Sequence, residues 1–277
     1  MGLDAGMVAY SNEFQGVHAD GSFTTKQLDW AYDADVWVRH SAIPDPKDIP
    51  VYMALHGRPE SSLLLESDHS NPVVSVIAKK RYKGYITFWK EYLSVWSRML
   101  SEVQYVPATV DLDYFKPVEK KDKTVLIADM WRDDVTPFNV IFAAADFCES
   151  SGYKLDIVGL PNRVVQPLKH FLRGMKCLGE LAGQMKDIKS WYDRASMVVT
   201  PHVIATRIIR ESLACGIEVV AGSGCQYTPF TGNPMDIPSM VRAMKACMES
   251  PSDPRGTAER EFNFKNAGLA MRSVLDV

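Results

Sequence analysis

Arg207 and Glu211 stand four residues apart in a run with helical periodicity, so a cation and a carboxylate share one face. Near a helix N-terminus that pair suits a ligand carrying both phosphate and hydroxyls, with the cation and backbone N–H groups meeting the anion. The same spacing describes an ordinary ion pair on a solvated face, and the residues alone leave both readings open. Other candidates are weaker. Asp33-Ala34-Asp35 and Asp111-Leu112-Asp113 have the form of a divalent-cation site bridging a diphosphate. The first falls in a helix-to-strand turn and the second in a connection, so both read as turn chemistry. The six histidines show neither H-E-x-x-H nor Cys/His ligand spacing, so no metal site is proposed. The chain lacks a G-x-S-x-G, a Walker loop and a full G-x-G-x-x-G, which leaves hydrolase and nucleotide-triphosphatase readings without support.

The elements around Arg207 and Glu211 read as strand, loop, helix, strand. Met197 to Val199 is a short apolar run fit for a strand buried on both faces. Ile208, Ile209, Leu213 and Cys215 recur at helical spacing, Gly216 stands where a helix stops, and Ile217 to Ala221 is the next buried strand. A helix between two parallel strands starts at the carboxyl edge of the sheet, where α/β folds bind ligands. The same alternation runs through the chain. Met7 to Tyr10, Val36 to Val38, Val51 to Leu55, Gln104 to Pro107, Thr124 to Ala128 and Leu155 to Val158 read as strands. Helices are expected from Thr24 to about Tyr32, over Pro59 to Glu66, from near Pro137 to Ser151, and over Ile237 to Glu249 and Ala258 to Leu275. The pattern predicts α/β architecture with parallel sheets. The polar run Glu119 to Lys123 marks the domain boundary, giving residues 1–118, 119–250 and a final helical segment 251–277.

At 277 residues, 46% hydrophobic and 23% charged, the chain can bury the cores of two such domains. A formal net charge of −3 argues against a general nucleic-acid or membrane binder without excluding a local basic patch. No apolar run approaches the roughly 20 residues that span a bilayer, and no signal pattern opens the chain. Five widely spaced cysteines, an odd number within apolar patterns, point to buried thiols and a cytoplasmic setting. Residues 79–98 hold six Lys/Arg against the single Glu91, interleaved with aromatics. Such a tract can stack bases or lie on a membrane, or its aromatics can face a core while its lysines are solvated.

Four segments, in order, resemble the signatures of GT-B glycosyltransferases of the E-x7-E type (glycosyl transferases group 1). Val106 to Pro117, V-P-A-T-V-D-L-D-Y-F-K-P, is similar to the family's connector, and Ile127 to Arg132 to its first strand and donor loop. Leu155 to Gly159 resembles the strand before the second donor loop, and Arg210 to Ala221, R-E-S-L-A-C-G-I-E-V-V-A, resembles the signature helix and strand. The resemblance covers roughly residues 104–225, and Val51 to Gly57 is loosely similar to an N-terminal strand ending in His-Gly.

The resemblance implies two Rossmann-like domains facing a cleft, the first for the acceptor and the second for a nucleotide diphosphate-sugar, with no metal and no other cofactor. It implies that the final helix crosses back to the first domain. Residue by residue, it assigns the Glu211 carboxylate to the donor ribose, Arg132 to the diphosphate and His56 to the reacting sugar. Gly16, Gly159 and Thr206 would line the donor. Two positions depart from the pattern: Val203 stands where the first signature glutamate belongs, and Asp133 to Pro137 contains no donor-loop lysine. Arg207 at the helix start could supply that missing charge. Lys79, Lys80, Arg81 and Lys83 would suit an anionic acceptor, such as a lipid-linked phosphate or a hydroxymethylated DNA base. The expectation is therefore a metal-independent glycosyltransferase with His56, Arg132 and Arg207 at its reaction centre. The alternative, motivated by Val203 and the missing lysine, is a nucleotide-sugar-binding module of the same fold without transfer.

Overall fold

The computed structural model describes residues 37–39, 51–55, 82–119, 122–128, 138–160, 162–183 and 187–275. The chain divides into two compact units, Met1–Pro107 with Leu269–Val277, and Ala108–Gly268. In the first unit β1 (Trp37–Arg39), β2 (Val51–Leu55), β3 (Gly84–Thr87) and β4 (Val103–Tyr105) pair in that order, all parallel. Tyr52 to Leu55 and all of β3 are buried without alternation, the pattern of parallel strands covered on both faces. Helix α1 (Lys90–Met99) packs Trp96 into a cluster with Met53, Leu55, Tyr85 and Leu100. Within the described part of the aromatic and basic tract, Tyr85 and Trp96 are therefore inside, while Lys83, Lys90 and Arg98 are exposed. The expected strand at Met7 to Tyr10 and the helices at Thr24 to Tyr32 and Pro59 to Glu66 lie outside the described residues.

The second unit alternates strand and helix. It runs β5 (Thr124–Ala128), α2 (Phe138–Ser151), β6 (Lys154–Val158), α3 (Asn162–Leu172), β7 (Leu178–Leu181), α4 (Lys189–Arg194) and β8 (Met197–Val199). Then come α5 (Arg207–Ala214), β9 (Glu218–Gly222), β10 (Thr231–Gly232), α6 (Ile237–Glu249) and α7 (Pro254–Glu261). Helix α8 (Phe264–Leu275) begins here, and the residues from Leu269 onward belong to the first unit. Six parallel strands take the order β10-β9-β8-β5-β6-β7. The side chains of β5, β6, β8 and β9 alternate between two cores. Val125, Ile127, Leu155, Ile157, Met197, Val199 and Val220 meet α2, α3 and α6 on one face. Leu126, Ala128, Val198, Val219 and Ala221 meet α4, α5 and α7 on the other. Two-sided burial explains why these strands, apart from the buried Asp156 of β6, read as apolar runs.

Several features differ from the sequence expectations. The division comes at Pro107–Ala108, so the connector packs with the second unit, where Val110 and Phe115 enter its core. β5 then begins inside that unit rather than opening it. The strand after Gly216 is shifted by one residue, and Gly216 itself has φ 63°, the left-handed conformation that ends α5. The helix expected over Ala258 to Leu275 is two helices. Phe262 is buried against Tyr227 and its carbonyl accepts the Val110 N–H at 3.0 Å, which diverts it from a continuing helix. Asn263 then starts α8 by accepting the Asn266 N–H at 2.8 Å.

All five cysteines are buried as thiols, and burial pushes Cys177 up to about 11 and Cys247 to about 12. Among the described residues no helix is long and apolar enough to cross a membrane.

Arg255 fastens the connector to the rest of the second unit. Its Nη1 donates to the carbonyls of Leu112 at 3.2 Å, Phe115 at 2.9 Å and Ala214 at 2.8 Å, and its Nε to Glu259 at 2.7 Å. One guanidinium thus holds two turns of the connector and a terminal carbonyl of α5, where the helix dipole favours a cation. Arg255→Met keeps the stem but leaves these acceptors without their donor. It is expected to lower the unfolding free energy by about 1–3 kcal/mol in urea titration, and an unchanged midpoint would show that water replaces the guanidinium at no cost.

Candidate functional site

In the order β10-β9-β8-β5-β6-β7 the chain leaves β5 for α2 on one face and leaves its neighbour β8 for α5 on the other. The carboxyl ends of β5 and β8 are therefore the point where connections part to opposite faces, which opens a crevice in sheets of this order. Residues 129–137 follow β5, and Arg132 lies outside the described residues. At the same edge Gly159 closes β6 in a left-handed turn, φ 82°, its N–H donating to Gly183 O at 3.1 Å.

The segment from Thr200 to Thr206 joins β8 to α5. Backbone bonds from Thr200 N to Val220 O (2.9 Å) and from Gly222 N to His202 O (3.0 Å) tie it to β9. Thr206 occupies the N-cap with extended ψ of 166° but makes no side-chain cap, and its buried Oγ1 has no hydrogen-bond partner. The leading N–H groups of α5 are thus left without a side-chain acceptor from the residue that usually supplies one, a local arrangement suited to an anion.

One turn in, Arg207 Nε donates to Glu211 Oε1 at 2.8 Å. The pair is unequal, because the Arg207 side chain is 75% exposed and that of Glu211 only 8%. It is therefore not an ordinary pair on a solvated face. The buried carboxylate is held on its other oxygen by Tyr192, whose hydroxyl donates to Oε2 at 3.3 Å. Tyr192 is fully enclosed, and burial, followed by the Glu211 charge, raises its hydroxyl well above the ordinary range, so it remains a donor at neutral pH. Phe115 of the connector packs edge-on against Tyr192, ring centroids 6.2 Å apart. Connector, α4 and α5 thus meet at one carboxylate. The sequence did not single out Tyr192. Its contact spans 19 residues and no local spacing announces it.

Of the residues expected from the sequence, Thr206, Arg207 and Glu211 are brought together at the start of α5, with Gly159 on the same sheet edge. His56, Arg132, Gly16, Lys79, Lys80 and Arg81 lie outside the described residues. Lys83 belongs to the first unit and is exposed, its Nζ 5.7 Å from the centre of the Tyr52 ring. Val203 is half-buried, with a methyl 3.0 Å from where a Cβ on Gly222 would stand, so it packs and accepts no hydrogen bond. Asp111 serves the turn, its Oδ1 accepting from the N–H groups of Asp113 (3.0 Å) and Tyr114 (2.9 Å). Among the described residues no group of three His, Cys, Asp or Glu could hold a metal ion.

No protein-family model and no curated protein matches the chain. Solved structures do. A glycosyltransferase from Rickettsia africae ESF-5 aligns at TM-score 0.64 and 13% identity over 90% of this chain and 78% of that one. Anabaena Alr3699/HepE, solved in complex with UDP-glucose, aligns at TM-score 0.68 and 14% identity over 91% of this chain and 81% of that one. AviGT4, a glycosyltransferase involved in avilamycin A biosynthesis, aligns at TM-score 0.60 and 15% identity over 89% and 75%. At such identities the likeness is one of fold: the chain is α/β with two Rossmann-like units, the GT-B fold of these glycosyltransferases.

Proposed function

We propose that this protein transfers a sugar from a nucleotide diphosphate-sugar to an acceptor hydroxyl. The observation that carries the reading is the buried Glu211 carboxylate, held by Tyr192 and Arg207 one turn inside an N-terminus at the switch point of the sheet. A carboxylate there can accept from ribose hydroxyls, while the start of the helix and the exposed guanidinium of Arg207 meet the diphosphate. HepE, a neighbour of the same fold, was solved with UDP-glucose, and that supports a nucleotide-sugar as the donor. In the transfer the acceptor oxygen bonds to the anomeric carbon as the bond to the diphosphate oxygen breaks. The hydroxyl proton passes to a base or to water. Arg132, Arg207 and the helix N–H groups would stabilise the departing diphosphate, with His56 beside the reacting sugar. Lys79, Lys80, Arg81 and Lys83 suit an anionic acceptor.

Val203, which packs where a second carboxylate would be expected, favours one other reading: a module that binds the nucleotide-sugar without transferring it. Nucleotide release from a panel of nucleotide-sugars, with and without candidate acceptors, separates the two. Release is expected with at least one donor. Tight binding with no release would favour the module, and no binding at all would sink both.

Glu211→Ala is expected to weaken nucleotide affinity by about 1–3 kcal/mol in calorimetric titration, the scale of a lost charge-assisted acceptor. Unchanged affinity would remove Glu211 from the site. Arg132→Ala is expected to reduce kcat more than donor affinity, as for a group acting on the leaving diphosphate, and the opposite split would argue for a role in binding alone.

A further inference from the structure

Between Leu160 and Gly179 the chain carries Arg163, Lys169, Arg173 and Lys176, with His170 among them, and no carboxylate, in a protein of net charge −3. The structure turns this run into a surface. Helix α3 buries Leu168 and Leu172 in the core and leaves Lys169, His170 and Phe171 outward, with Arg173 and Lys176 exposed just beyond it. Phe171 is 68% exposed. Its ring lies 5.5 Å from that of Phe142 on α2, which in turn lies 6.4 Å from Phe138, itself half exposed. Met235, another exposed apolar side chain, is held at that end by a 2.9 Å bond from Asn139 Nδ2 to its carbonyl. A row of apolar groups thus stands in solvent beside a basic helix. Of the carboxylates nearby, Glu149 accepts the Cys177 N–H at 2.7 Å and Glu180 pairs with Arg194 at 2.8 Å, while Asp236 beside Met235 lies 3.9 Å from Arg242 and Asp146 on α2 is exposed.

We propose that this face docks on an anionic lipid surface, with Phe171, Phe138 and Met235 entering the headgroup layer and Lys169, Arg173 and Lys176 on the lipid phosphates. Charge selects the partner, since the run carries cations alone. The apolar groups select bilayer over nucleic acid. The Phe138 and Phe142 rings are stacked on each other rather than open to bases, and Met235 has no counterpart on a phosphate backbone. One basic helix with a few apolar side chains gives reversible binding, so this face would move on and off the surface. The inference uses no residue of the donor site and stands independently of the sugar-transfer reading.

The test is co-sedimentation of the full chain with phosphatidylcholine vesicles, with and without roughly one-third phosphatidylglycerol. Binding is expected only to the anionic vesicles and is expected to fall as salt shortens the screening length. Lys169→Glu with Arg173→Glu should weaken it by about tenfold or more, since each cation near such a surface is worth about a factor of five. Phe171→Ser should weaken binding while leaving its salt dependence in place. All three positions are exposed, and an unchanged thermal unfolding midpoint certifies each variant. Failure of the wild type to bind anionic vesicles would overturn the proposal. So would binding that these variants leave unaltered, or capture of labelled duplex DNA in place of vesicles.

Discussion

A carboxylate removed from water has to keep its hydrogen-bond partners, and the second unit is arranged around that requirement at Glu211. Tyr192 reaches its Oε2 only because α4 lies against the same face of the sheet as α5. Tyr192 is kept in place by Phe115, and the turn bearing Phe115 is held by Arg255. Arg255 also holds the Ala214 carbonyl at the far end of α5. The eight-residue helix is therefore held near its middle by Tyr192 and at its last residue by Arg255. Burial of the side chains around it supplies most of the stability, but apolar contact alone would not fix the rotation of so short a helix. The directional bonds do.

The magnitudes separate the two partners of Glu211. Arg207 approaches closely, at 2.8 Å, yet three-quarters of its side chain is in water, where solvent screens its charge. The Tyr192 contact is longer, at 3.3 Å, but wholly buried, where an unmade bond would leave a desolvated acceptor at a cost of about 1–3 kcal/mol. Tyr192 therefore does more to fix the carboxylate, and Arg207 is the partner that can be exchanged.

Legibility in the sequence followed burial. Strands covered on both faces, such as β5 and β8, stand out as apolar runs because their side chains are needed inside. The edges did not. Strand β7 is Leu-Gly-Glu-Leu with no fully buried residue, β10 is only two residues long, and α3 carries Pro167 within a helix, which breaks the usual signal. The junction of α7 and α8 depends on a carbonyl of Phe262 turned toward Val110, a contact between distant segments that no local pattern encodes. The site divides the same way. Arg207 and Glu211 are readable because helical spacing is local, whereas Tyr192 and Arg255 act through tertiary contacts and only the fold discloses them.

Val203 gives the unequal pair its significance. On the proposed function, the side chain at the position of a second carboxylate only packs, so the hydroxyl-accepting role falls to Glu211. Arg207 commits Nε to Oε1, and neither of its Nη groups is held by a hydrogen bond to the described residues. A phosphate could therefore take the forked face of the guanidinium without first breaking the carboxylate contact. Should the phosphate draw Arg207 away, Tyr192 would still hold Oε2, and Oε1 would be left to accept from a hydroxyl. On the proposed function, an exposed arginine and a buried tyrosine thus have separate tasks at one carboxylate, the first exchanging partners with the ligand and the second keeping the carboxylate in place while it does.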